Sequence, residues 1–180
     1  MIVAHPDDCV IFAWPLMRKY PKFQWSIVYL TYQDQDSRAR EMKRFWTQYS
    51  IPTHFCGFVD DYRDLETQSI SFDINEARQE LQDWAREFDL IVTHNRDGDY
   101  GHLHHQFVHD CLQCIPVPQI YFASTFNNNC VIESSECYDL ECLPLHRSVI
   151  EGFQDRHTGR YYITQSAQQV LDNGQTKTWR

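Results

Sequence analysis

Short apolar runs alternate with longer amphipathic stretches along the first two thirds of this chain, and no other feature constrains the fold as strongly. An apolar run of four to six residues reads as a buried strand. A following stretch with apolar residues on a 3.6-residue period reads as a helix, and repetition of the pair reads as a parallel sheet covered by helices. Strands are predicted at Ile2–Ala4, Ser26–Thr31, His54–Gly57, Leu90–Thr93 and Gln119–Ala123. A helix is predicted over 37–49, where Met42, Phe45, Trp46 and Tyr49 share a face, and another over 74–88 through Ala77, Leu81, Trp84, Ala85 and Phe88. A third is predicted over 103–115, ending before Pro116. The expected class is α/β, an open, mostly parallel sheet with helices on both faces. Beyond Asn127 the pattern thins to a strand at 131–133, a helix at 144–154 and a short helix from Gln165 followed by a frayed tail. With 180 residues the chain is expected to be a single domain over 1–180, since domains usually hold about 100 to 200 residues.

Gly and Pro together number only 13 against 42% hydrophobic residues, which argues for a packed core and against a disordered chain. The net charge of −9 opposes a broad grip on a nucleic-acid polymer or an anionic membrane, so a small-molecule partner is expected. Val10–Met17 is the longest apolar run; Pro15 interrupts it, and it is far short of the ~20 residues that span a bilayer. No membrane insertion is expected. Seven scattered cysteines, with no basic and apolar leader ahead of them, suggest a reducing, cytoplasmic setting. Cys111 and Cys114 form a C-x-x-C with no answering pair and are expected to be idle thiols on a helix. Oligomeric state is left open.

In an open parallel sheet, functional groups gather beyond the carboxyl ends of the strands. His5-Pro6-Asp7-Asp8 follows the first predicted strand there, and Thr93 to His105, with His94, His102, His104 and His105, follows the fourth. A catalytic zinc takes three imidazole or carboxylate ligands and keeps one position open. His5, Asp8 and His105 can supply the three, leaving Asp7 as a base for water. Blander readings exist for each part alone. His5–Asp8 could be a helix-capping turn, and His102 to His109 a polar helix start.

These two motifs resemble those of the LmbE-like or PIG-L deacetylases, zinc hydrolases that remove acetyl groups from N-acetylglucosamine units. The family's A-H-P-D-D-E is matched by Ala4 to Asp8, and its G-H-x-x-H by Gly101-His102-Leu103-His104-His105. The resemblance covers roughly residues 2–125, with the C-terminal third weakly comparable. It implies a Rossmann-like sheet and one zinc ion on His5, Asp8 and His105, with Asp7 as general base. It further implies His102 as general acid or stabiliser of the tetrahedral intermediate and Tyr100 as a hydroxyl polarising the amide carbonyl. Arg38 and Glu41 match an R-x-x-E-L helix start whose arginine faces substrate, and Asp60 matches an aspartate that binds sugar hydroxyls, Asp64 being an equal alignment. On the residues alone, Arg38 is as readily a solvated partner of Glu41, and Asp60 a turn residue beside Asp61.

Three departures stand out. Cys9 replaces the motif's glutamate, Val10–Leu16 with Trp14 and Pro15 replaces a glycine-rich stretch, and His104 stands where Asp or Asn is common. His104 is expected to face solvent. The expected activity is hydrolysis of an N-acetylated amino sugar or its conjugate. The alternatives are a zinc-bound, catalytically weak binding protein, or a deacylase of another amide such as a modified nucleoside.

Overall fold

The computed structural model describes residues 1–61, 70–123, 127–135, 138–153 and 158–174. In chain order the elements are β1 (Ile2–Val3), α1 (Asp8–Lys19), β2 (Ile27–Thr31), α2 (Ser37–Thr47), β3 (Thr53–Phe58) and α3 (Ile74–Arg86). They continue with β4 (Ile91–Thr93), α4 (Gly98–Gly101), α5 (Leu103–Leu112), β5 (Gln119–Phe122) and β6 (Cys130–Glu133). A 3₁₀ turn (Leu140–Cys142), α6 (Arg147–Gly152), β7 (Thr158–Ile163) and α7 (Gln165–Asn173) complete the described residues. The predicted helix at 144–154 shrinks to α6, its last residue falling outside the described segments, as Asp64 also does.

The strands form two hydrogen-bonded sheets. One has the order β1-β2-β3, all parallel, and the other β4-β5-β7-β6, in which β4 and β5 pair in parallel and β7 pairs antiparallel with both β5 and β6. β1 and β4 lie against each other where the sheets meet. Strand side chains alternate between two covered faces, as the period of two requires. Met1, Val3, Ile27 and Tyr29 join the core beneath α1 and α2, while Ile2, Ala4, Val28 and Leu30 join a second core with Ala77, Leu81, Ala85, Val108 and Leu112 of α3 and α5. Helices on both faces are therefore as expected, and the sheet is more mixed than expected because β7 returns antiparallel.

β7 was not predicted, although Gly159, Tyr161 and Ile163 are buried and alternate with more exposed Thr158, Arg160 and Tyr162. Nor was α1, since Pro15 lies inside it. A proline there strains the local hydrogen-bond ladder, and β7 relieves the damage. The Tyr161 hydroxyl accepts from Leu16 N at 3.2 Å and donates to Phe12 O at 2.9 Å, entering the ladder between two groups that would otherwise bond each other. Gly159 makes room for it, because a Cβ there would lie 2.1 Å from that hydroxyl. No helix among the described residues is long and apolar enough to cross a membrane.

Candidate metal centre

Two loops at the β1/β4 boundary build the site. After β1 the chain turns through His5–Asp7, and the His5 N–H donates to Asp8 Oδ2 at 2.7 Å, fixing that carboxylate at the start of α1. After β4, Asn95 Oδ1 accepts from Asp97 N (2.8 Å) and Asp99 N (3.1 Å), an Asx turn that folds the loop back. Gly98 at φ +69° and Asp99 at φ +63° continue the bend. His102 then caps α5, its Nδ1 accepting from His104 N at 3.1 Å.

The three predicted ligands converge. His5 Nδ1 lies 3.1 Å from His105 Nε2 and 3.4 Å from Asp8 Oδ2, and His105 Nε2 lies 3.3 Å from Asp8 Oδ1. The two Asp8 distances run to different oxygens of its carboxylate, which lies between the two rings, and contacts of this length are of the size that a tetrahedral ion with bonds of about 2.0 to 2.1 Å sets between its ligand atoms, about 3.3 Å. All three side chains are buried. Burial alone would raise the Asp8 pKa, but His105 and His94 hold the carboxyl well below its ordinary range. Burial likewise opposes charge on His5, yet Asp60 and Asp8 outweigh it and raise its pKa to about 9. The pocket favours a cation.

Tautomers separate ligands from their supports. His105 Nδ1 is 2.9 Å from Asp99 Oδ2, so its proton sits there and the Nε2 lone pair faces Asp8. His94 and His102 also lie within ligand range of this cluster, in the groups Asp8/His94/His105 and His5/His102/His105. Each has its accepting nitrogen already engaged. His94 Nε2 accepts from Ala4 N at 3.0 Å while Nδ1 contacts Asp99, and His102 Nδ1 accepts from His104 N. Asp99 and Asp8 pull the His94 pKa up against its burial, to about 9, but the Ala4 N–H requires a lone pair on Nε2, and that backbone bond decides for the neutral ring. His102 therefore presents Nε2–H. Its burial, with His5, His105 and His104 nearby, lowers its pKa to about 3.

The other predicted residues surround this centre. Arg38 Nη2 lies 3.2 Å from Asp7 Oδ2, and Arg38 Nη1 donates to Tyr32 OH at 2.8 Å and lies 3.7 Å from Asp60 Oδ2. Tyr32 OH in turn donates to Asp60 Oδ2 at 2.7 Å. Asp60 Oδ1 is 3.4 Å from His5 Nε2, so Asp60 lies behind the His5 ring. Burial would raise its pKa, but His5 and Tyr32 hold it well below the usual carboxylate range. Glu41 does not pair with Arg38; it accepts from Leu145 N at 2.9 Å and contacts His146, tying α2 to the segment before α6. Tyr100 is 58% exposed, its ring 5.8 Å from that of His102 and 5.2 Å from that of His105, at the rim of the site.

His104 corrects an expectation. It is buried, not solvent-facing, with Nδ1 3.1 Å from His5 Nε2 and its ring against Phe72. The turn of α5 that aims His105 inward aims its neighbour at the far edge of His5. Cys9 points away from the site into the core, its sulfur 2.9 Å from Tyr29 OH, which also accepts from Trp46 Nε1. Cys111 is buried and Cys114 exposed, both free thiols on or just beyond α5. His109, one turn past His105, lies with Nδ1 3.2 Å from His94 O. Sequence reading gave no role to His94 or Asp99 although both lie in the stretch it singled out, an Asp three residues before His102 being the available signal. It also passed over Tyr32, for which a tyrosine at φ +68° beyond β2 leaves no local cue.

Comparison with known proteins adds the following. The family described as PIG-L, GlcNAc-PI de-N-acetylase, matches residues 1–114. An uncharacterized protein of Acanthamoeba polyphaga mimivirus is 25% identical over 135 residues, 67% of this chain, and the match spans 59% of that relative's length. Among solved structures, the 4-carboxy-2-hydroxymuconate hydratase GalB from Pseudomonas putida is similar with a TM-score of 0.61 at 12% identity, covering 84% of this chain and 81% of that one. The pseudoaglycone deacetylase Dbv21 is similar with a TM-score of 0.52 at 12% identity, covering 96% and 83%. A hydratase and a deacetylase share this mixed α/β fold, so fold alone does not select the reaction.

Proposed function

The chain belongs to the PIG-L (LmbE-like) family, and from that premise we propose that it is a metal-dependent N-deacetylase that releases acetate from an N-acetylated amino sugar or its conjugate. The observation that carries this reading is the convergence of His5 Nδ1, Asp8 and His105 Nε2 at mutual distances of 3.1 to 3.4 Å. These three residues would hold one zinc ion. When bound, such an ion polarises a carbonyl and lowers the pKa of a water toward about 7.

The protein's own groups supply the rest. Asp7, oriented by Arg38 at 3.2 Å, takes the proton of the attacking water. His102 directs Nε2–H at the oxyanion as charge develops on the carbonyl oxygen, and Tyr100 adds a hydroxyl from the rim. Its depressed pKa favours the role of neutral donor over that of general acid, so Asp7 returns the proton to the leaving amine. Arg38 and Asp60 read polar groups of the substrate ring. The products are acetate and a free amine. Residues 1–180 act as one unit with a Rossmann-like sheet, in a cytoplasmic setting.

Acetate release by the zinc-loaded protein tests this on small N-acetylglucosamine derivatives beside aromatic and nucleoside amides. Turnover of an amino sugar is expected. Turnover confined to the other amides would remove the sugar assignment and leave amide hydrolysis standing, and no turnover of any would favour a binding protein.

A further inference from the structure

Away from the centre, β3 and α3 bring a second set of metal-binding side chains together. His54 and Cys56 are two residues apart on β3, so both point to one side of the strand, and Glu80 of α3 faces them. One ligand atom from each lies within 4.8 Å of the other two, and His54 Nε2 is 3.4 Å from Glu80 Oε1. β3 is the outer strand of its sheet, so the cluster is reached from solvent without opening the fold.

Two further observations favour a cation here. The His54 ring packs on Trp84, with centroids 4.4 Å apart, which holds the imidazole in place before anything binds. Glu80 and Trp84 also line an open groove of about 510 Å³ along α3, whose other described walls are Glu76, Gln79, Asp83 and Glu87. Arg86 pairs with Asp83 at 2.7 Å, and the other three carboxylates leave the groove acidic, so its field draws cations.

We propose that His54, Cys56 and Glu80 form a second divalent-cation site, for a borderline-soft ion such as zinc, beside this acidic groove. The donor set of imidazole, thiolate and carboxylate is one that zinc accepts, while calcium and magnesium prefer oxygen alone. Binding releases the Cys56 proton to solvent and joins the outer strand to α3. The site shares no residue with His5, Asp8 and His105.

Cobalt(II) tests it, because only a thiolate ligand gives a sulfur-to-cobalt charge-transfer band in the near ultraviolet, and the first centre has no sulfur. The full chain titrated with cobalt should bind about two ions, and the band should grow with one of them. Cys56→Ser should abolish the band and lower the count to about one, as should His54→Ala, whereas His105→Ala should lower the count and keep the band. Glu80→Gln, on a partly exposed helix position, should weaken the ion responsible for the band without unfolding the chain. A single ion with no thiolate band in the wild-type protein would overturn the proposal, as would a band that survives Cys56→Ser. Loss of the first centre alone would leave this site intact, so the two assignments fail separately.

Discussion

His105 Nδ1 lies 2.9 Å from Asp99 Oδ2, and this contact decides which edge of the imidazole faces Asp8. Asp99 reaches its position only because the backbone there takes φ +63°, and it also contacts His94. One carboxylate thus contacts two buried histidines, His94 and His105, whose rings stack with centroids 3.8 Å apart beyond β4. Supports of this kind typically contribute 10- to 100-fold to metal affinity.

Asp99→Asn keeps the shape of the side chain but removes its charge. It should weaken zinc binding about 10- to 100-fold, measured by competition with a chelator, with the far-ultraviolet circular dichroism preserved. Unchanged affinity would mean that the contact does not orient the ring.

Asp7 and Asp8 are adjacent in sequence yet meet different partners, Arg38 for the first and His5 with His105 for the second. Asp7→Asn should retain the ion and lose on the order of 10² to 10⁴ in kcat. Asp8→Asn should lose the ion. Exchange of these phenotypes would swap the roles.

For His102 the expectation concerns pH. Its pKa is lowered to about 3, so the ring is protonated only below that value and is neutral at every higher pH. Loss of activity as pH rises between about 5 and 8, the signature of a histidine general acid, should not trace to it. His102→Ala should lower kcat by about 10² to 10³ with little change in KM. A wild-type limb in that range that vanishes in His102→Ala would identify a general acid instead.

The Tyr161 hydroxyl sits between Leu16 N and Phe12 O. Tyr161→Phe removes a buried donor and acceptor at once and should destabilise the protein by about 1 to 3 kcal/mol in urea unfolding. A loss of only a few tenths would show that α1 closes its own gap around Pro15.

The strands β1 to β5 and the helices α2, α3 and α5 were legible because each carries its own periodicity, as Ala77, Leu81 and Ala85 do on α3. The meeting of His5, Asp8 and His105 was legible because His5 and Asp8 follow one strand and His105 the other. What could not be read depends on partners distant in sequence. α1 survives Pro15 through a tyrosine 146 positions away, counting from residue 15 to residue 161, and that tyrosine belongs to a strand whose polar residues obscured its alternation. His104 was misplaced because substitution within a motif carries no record of what the ring will meet, here the far nitrogen of His5. Asp60 was read as a sugar contact from its segment, while its place behind His5 depends on how β3 ends beside β2.

On the proposed mechanism one ion on His5, Asp8 and His105 is required for amide hydrolysis, and activity measured against metal content decides whether it is. Protein stripped by chelation and titrated with zinc should gain acetate release from an N-acetylglucosamine derivative in proportion to the filling of this centre, one ion of about two bound. His105→Ala should show neither that ion nor that activity, while Cys56→Ser should show both. Full turnover by stripped protein, or by His105→Ala, would contradict the account.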